Sequence, residues 1–364
     1  MKFVDEFRNA GAVKNLAQAI TQKAGGKPLI FMEVCGTHTM AVARFGIREC
    51  LPDTISLISG PGCPVCVTPV SVVDRIVAIA KLSGVIVATF GDMIRVPGSF
   101  SSLDAVRAEG GDVRVVTSPL DALSIAVANP ERRVVFMGVG FETTAPAIAA
   151  SIEHARSERV SNYCVLSAHK VMPPPMEALS QGEIGIHGYL CPGHVSAIIG
   201  SKPYEILAKR YKIGCVISGF EPTDILQSIL MLVDQCVSGT PRVEIQYSRV
   251  VHPEGNPSAL ALLDRVFEPS DSEWRGLGVI PKSGLSIRSE FRDWDAEVQI
   301  PVDPGPSVEP AGCRCGDVLR GLIRPSACPL FGLTCTTDHP VGACMVSTEG
   351  ACAASFRYDR TAQA

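Results

Sequence analysis

From residue 29 to about residue 268, short apolar runs alternate with stretches of helical period. Residues 29–34 read as a strand, followed by Cys35-Gly36 and a helical stretch over 39–48. Residues 55–59 run into Gly60-Pro61-Gly62-Cys63-Pro64-Val65-Cys66, after which 70–82 is helical in period. Strands at 85–90, 113–116 and 134–139 then alternate with helices at 102–109 and 120–128. A second set has strands at 163–167, 214–218 and 243–247 and helices at 142–156, 176–180, 205–211, 223–237 and 257–267. Such alternation predicts βαβ units and parallel sheets covered on both faces. The stretches VVFMGVGFETTAPAI and IGCVISGFEPTDIL repeat strand, Gly-Phe-Glu, Thr and helix. That echo points to two related halves, although strand, glycine turn and helix is also the commonest α/β grammar. The expected architecture is two similar parallel-sheet α/β lobes, 1–135 and 136–270, facing a cleft, with a small cysteine-rich domain over 271–364.

Composition narrows the classes. The 364 residues include 33 Lys plus Arg against 37 Asp plus Glu, a net charge of -4. With no basic run longer than Arg132-Arg133, recognition of nucleic acid through phosphates is not expected. No stretch approaches the roughly 18 uncharged apolar residues of a spanning helix. The N-terminus mixes charges into a helical pattern, unlike a signal peptide. These features predict a cytoplasmic protein with no membrane partner. In a reducing compartment the 14 cysteines are metal ligands, redox thiols or buried small hydrophobes rather than structural disulfides.

Six of those cysteines, Cys313, Cys315, Cys328, Cys335, Cys344 and Cys352, fall within forty residues of a Gly/Pro-rich tail. Such a segment makes little apolar core of its own and is expected to fold around an inorganic centre. It has no C-x2-C pair of the kind a structural zinc site uses. The wide gaps favour a cubane iron–sulfur cluster held by four thiolates, with zinc as the alternative.

Two further constellations carry chemistry. Cys63 and Cys66 sit on a predicted strand-to-helix turn, close enough for a disulfide. The helix N-terminus is expected to favour one thiolate, which reads as a redox dithiol. Cys35 and His38 lie in Glu33-Val34-Cys35-Gly36-Thr37-His38, at the carboxyl end of the first strand, where open parallel sheets place ligands. Cys35 is a candidate soft-metal ligand or nucleophile, and His38 a second ligand, hydrogen-bond donor or proton carrier. Asp92 in Phe90-Gly91-Asp92-Met93, the Gly140-Phe141-Glu142-Thr143-Thr144 turn and His194 in Cys191-Pro192-Gly193-His194 also fall at strand ends, where helix capping is the competing explanation. Cys50, Cys164, Cys215 and Cys236 read as packing; Cys191 is undecided.

Together, CGTHT at 35–39, GPGCPVC at 60–66, GFETTAP at 140–146, PGHVSAIIG at 192–200, GFEPTD at 219–224 and the cysteine tail closely resemble the HypD family of hydrogenase maturation factors, over essentially the whole chain. The family's ligand pattern C-x14-C-x6-C-x16-C falls on Cys313, Cys328, Cys335 and Cys352. The resemblance implies that these four hold a [4Fe-4S] cluster and that Cys315 and Cys344 are extra thiols. It implies a redox-active scaffold for assembling the Fe(CN)2CO group of [NiFe]-hydrogenases, with a HypC-type iron-carrying chaperone and a HypE-type cyanide donor. By the same resemblance Cys35 ligates the iron with His38 nearby, and Cys63 and Cys66 exchange electrons with the cluster. Asp92, His194 and Glu349 match polar positions associated with function. The alternatives are a cluster-dependent protein disulfide reductase and a zinc-stabilised binding module.

Overall fold

The computed structural model describes residues 5–182 and 184–359. Nine short strands form two parallel sheets. The first takes β1 (Leu29–Glu33), β2 (Ile55–Ser59), β7 (Gly188–Pro192), β8 (Gly214–Ser218) and β9 (Val243–Ile245), in the order β2-β1-β7-β8-β9. The second takes β3 (Val85–Thr89), β4 (Val113–Val115), β5 (Arg133–Gly138) and β6 (Tyr163–Ser167), in the order β4-β3-β5-β6. Every pairing within both sheets is parallel. β3 and β8 are buried at every residue, which is why they read as unbroken apolar runs rather than as alternating ones.

The two sheets interleave along the chain, and this replaces the expected division. A cut at 135/136 falls inside β5 and parts β1 and β2 from β7, β8 and β9. The missing information is β7, to which the sequence pattern assigns no strand because Gly188 and Pro192 are poor strand formers. Burial on both faces between β1 and β8 overrides that local preference. The two GFE echoes each follow an interior strand, β5 in the second sheet and β8 in the first.

Residues 267–287 also differ from expectation. They form an antiparallel hairpin, β10 (Phe267–Trp274) with β11 (Gly278–Ile287), which accommodates Pro269 beside a register shift at Ser270/Ser272. The hairpin tip enters the main core, where Trp274 is 1% exposed. That core is continuous through both sheets, the hairpin and the tail, and includes Met32, Cys66, Val87, Met137, Tyr189, Trp274, Cys315, Cys344 and Ala353. Separate clusters cover the opposite face of each sheet. The tail therefore shares a core rather than building one: the helix Ala351–Tyr358 packs on Gly36–Arg44, and Ala343–Val346 on Pro64–Val67. Among the described residues no helix is long and apolar enough to cross a membrane.

Candidate functional site

In each sheet there is a point where the chain reverses direction across the strands, and crevices for ligands open beyond the carboxyl ends there. In the first sheet this point lies between β1 and β7. The residues that follow these strands are Cys35 to His38 and Gly193-His194. In the second it lies between β3 and β5, followed by Asp92 and by the Gly140–Thr144 turn.

Cys35 occupies the N-cap of the helix Gly36–Arg44 and is 8% exposed. Burial pushes its thiol up to about 12, and nearby Glu349 adds to the effect; the backbone N–H groups of His38 and Thr37 oppose it. The sulfur is therefore a protonated thiol at neutral pH. Beside it Glu33 is fully buried, with its carboxyl pushed to about 7 by desolvation, while Thr39 Oγ1 donates to it at 2.8 Å. His38 is also fully buried and is held neutral, its pKa lowered to about 4 by burial. Its Nε2 donates to the Gly219 carbonyl at 2.9 Å. Phe220 lies between two imidazoles, with ring centroids 4.7 Å from His38 and 4.1 Å from His194.

The tail closes on this loop. Thr37 Oγ1 donates to Glu349 Oε1 at 2.6 Å, and Ser347 Oγ donates to Asp92 Oδ2 at 2.9 Å. Ser347 Oγ in turn accepts from the Glu349 amide at 3.3 Å. Asp92, Glu349, His194 and the Cys35–His38 segment, four separate stretches, are thus linked through Ser347, Thr37 and Phe220 into one contact network spanning both sheets and the tail.

The dithiol turn is fitted directly against Cys35. Gly36 N–H donates to the Gly62 carbonyl at 2.8 Å, and a Cβ added to Gly62 would lie 2.1 Å from the Cys35 nitrogen. Cys63 caps the short helix Pro64–Val67, its sulfur accepting from Cys66 N–H at 3.3 Å. Thiolate stabilisation does not fall on Cys66 as a helix N-terminus would suggest. Burial and the neighbouring Cys344 and Cys63 push its pKa well up. The neighbouring thiols of Cys315, Cys352 and Cys66 instead lower the pKa of the buried Cys344. A file of sulfurs therefore runs from Cys63 through Cys66 and Cys344 to Cys315 and Cys352.

Beyond that file, Cys313, Cys315, Cys328, Cys335 and Cys352 line one cavity together with Leu330, Phe331 and Met345. Among the described residues no three metal-ligating side chains converge as a single ion would require. A Cβ on Gly342 would lie 2.6 Å from the sulfurs of both Cys313 and Cys315, so the backbone is bare where the thiols need room. All fourteen cysteines are free thiols. Cys164, Cys191 and Cys215 are fully buried in the main core, and Cys50 and Cys236 are partly buried.

The chain as a whole is similar to known proteins. The HypD family model, described as "Hydrogenase formation hypA family", matches residues 11–359. The chain belongs to the HypD family. It is 46% identical over 370 residues to the hydrogenase maturation factor HypD of Rhodobacter capsulatus, covering 98% of each chain. It is 44% identical over 366 residues to that of Escherichia coli, again over 98% of each. With the HypD of Cupriavidus necator it shares 43% over 370 residues, 99% of this chain and 98% of the relative. As a HypD-family chain it is a hydrogenase maturation factor.

Sequence reasoning missed three contributors to the site. Cys344 read as an extra thiol, yet it sits at the centre of the sulfur file. Its spacing from Cys352 carries no signal, because the contact depends on the turn over 347–350. Glu33, inside an apolar strand, and the Gly219-Phe220 pair also escaped. The second GFE echo was the visible clue to that pair.

Proposed function

We propose that this chain is a cytoplasmic, redox-active scaffold on which the Fe(CN)2CO group of [NiFe]-hydrogenases is assembled, acting with a HypC-type chaperone and a HypE-type cyanide donor. The observation that carries this reading is the junction of Cys35, the Cys63/Cys66 turn and the tail through Gly62, Glu349 and Cys344. Iron bearing cyanide and carbonyl ligands is the substrate. A soft thiolate from Cys35 suits it, and the Thr37 and His38 amides that face the sulfur would steady its negative charge. Cys313, Cys328, Cys335 and Cys352 would hold a [4Fe-4S] cluster: all four line one cavity, and four thiolates are the donor set such a cluster takes. When bound, the cluster supplies electrons one at a time at low potential. Cys63 and Cys66 can store them, since reducing their disulfide takes two electrons and two protons.

A protein disulfide reductase is the weaker reading, because Cys63 is 3% exposed and Cys66 fully buried, so neither is offered to a protein substrate. The test is complementation of a strain lacking its own HypD. Cys35→Ala is expected to abolish hydrogenase maturation while leaving the cluster's visible absorption intact. Loss of that absorption in the variant would show that the two sites are not separate and would overturn the assignment.

A further inference from the structure

We propose that Asp224, Gln246 and Arg249 are positioning residues that hold His38 in one tautomer, with Nε2 protonated and Nδ1 left as a bare acceptor. Arg249 makes a two-pronged contact with Asp224, Nη1 to Oδ1 at 2.9 Å and Nη2 to Oδ2 at 2.6 Å. Its guanidinium lies 4.3 Å from the Phe7 ring centre and 4.5 Å from that of Tyr247. The Asp224 side chain is fully buried while that of Arg249 is 36% exposed, so the carboxylate depends on these hydrogen bonds in place of water.

A carboxylate only accepts, and that fixes the Gln246 amide. Gln246 Nε2 donates to Asp224 Oδ1 at 2.9 Å, which turns Gln246 Oε1 toward the Gly219 N–H, from which it accepts at 3.0 Å. Asp224 also packs against Gly219 directly, since a Cβ there would lie 2.4 Å from Oδ2. Gly219 is thus held from two sides. Its carbonyl accepts from Ser218 Oγ at 2.9 Å and from His38 Nε2 at 2.9 Å. A carbonyl cannot donate, so Nε2 must carry the proton. Nδ1 is then a lone pair, and it is buried with no hydrogen-bond partner among the described residues. An orphaned acceptor in a fully buried ring is costly unless something uses it. Its place in the first turn after Cys35 leaves it available as a ligating lone pair or a proton acceptor, since the cyanide and carbonyl ligands of the proposed substrate carry no hydrogen to donate. This consequence rests on the proposed function above; the tautomer itself does not.

The test uses the full chain with 15N-labelled histidine and long-range proton–nitrogen spectra at neutral pH. The wild type is expected to show a single His38 tautomer with Nε2 protonated. Gln246→Leu, which keeps the volume and removes the hydrogen bonds to Asp224 and Gly219 along with one to Gln227, is expected to give mixed ring-nitrogen signals for His38 while His169 in the other sheet is unchanged. Arg249→Lys retains the charge without the two-pronged contact and is expected to fall between them. It serves as the second variant should Gln246→Leu not fold. A wild-type His38 protonated at Nδ1, or a folded variant with an undisturbed Nε2 tautomer, would overturn the proposal. In cells, a variant that has lost the tautomer should mature hydrogenase roughly tenfold or more less well. Undiminished maturation despite a lost tautomer would overturn the substrate role of His38 and leave the positioning claim standing.

Discussion

Gly62→Ala is the sharpest perturbation of the junction. The added Cβ would sit 2.1 Å from the Cys35 nitrogen, 2.4 Å from its Cα and 2.4 Å from the Val34 carbonyl carbon. All three are backbone atoms, so no rotamer can relieve the clash. Ordinary contact begins near 3.4 Å, and the two loops must therefore part by more than about 1 Å, a displacement that forced overpacking produces at about 1–3 kcal/mol. The Gly36 N–H to Gly62 carbonyl bond at 2.8 Å would be stretched, at a further cost of about 1 kcal/mol. A shift of that size at a reacting geometry can lower activity by about 100-fold. The assay pairs chemical denaturation with hydrogenase maturation in a complemented strain. Gly185→Ala is the control, because a Cβ there meets nothing within 4 Å and no change is expected. Wild-type stability and maturation in Gly62→Ala would refute the claim that Cys35 and the dithiol turn are fitted together.

Glu142 is buried, its carboxyl pushed to about 7 by desolvation, with Oε1 accepting from Met172 N–H at 3.0 Å. The folded pKa is raised, so its contribution is fully present below about 4.5 and is lost as pH rises through about 7. Glu142→Gln should match the wild type near pH 4.5 and be more stable at pH 8 by about 3 kcal/mol; identical urea midpoints at both pH values would contradict this. Arg275 is 3% exposed, donates from Nε to the Thr68 carbonyl at 2.9 Å, and its backbone N–H meets the Val67 carbonyl. Arg275→Met should destabilise by about 2 kcal/mol through loss of charged hydrogen bonds, read as a lower denaturation midpoint; an unchanged midpoint would show that the hairpin tip does not anchor the dithiol helix.

Much of the fold was legible because strands buried on both faces announce themselves as apolar runs: β2, β6 and β8 begin and end where the pattern places them. β7 was not, since its strand character comes from the neighbours that bury Gly188 and Pro192 and from nothing local. The order of strands was hidden for the same reason, and with it the interleaving of the two sheets. The proline-rich stretch after residue 270 concealed a hairpin because Pro269 is tolerated beside an irregular register. Motif chemistry picked out Cys35, His38, Cys63 and Cys66. Gly219, the partner of His38, and Cys344, the neighbour of Cys66, act across 181 and 278 residues of chain, which no local pattern encodes.

The central claim is that the sulfurs of the dithiol, Cys344 and the tail form one path for reducing equivalents beside Cys35. It is tested most directly by loading the anaerobic protein with its cluster, oxidising Cys63 and Cys66 to a disulfide, and supplying a low-potential one-electron donor. Differential alkylation with mass spectrometry then follows the two thiols. The account predicts that the disulfide is reduced in the wild type and stalls both in Cys344→Ser and in protein without the cluster. Reduction at the same rate in all three would contradict it.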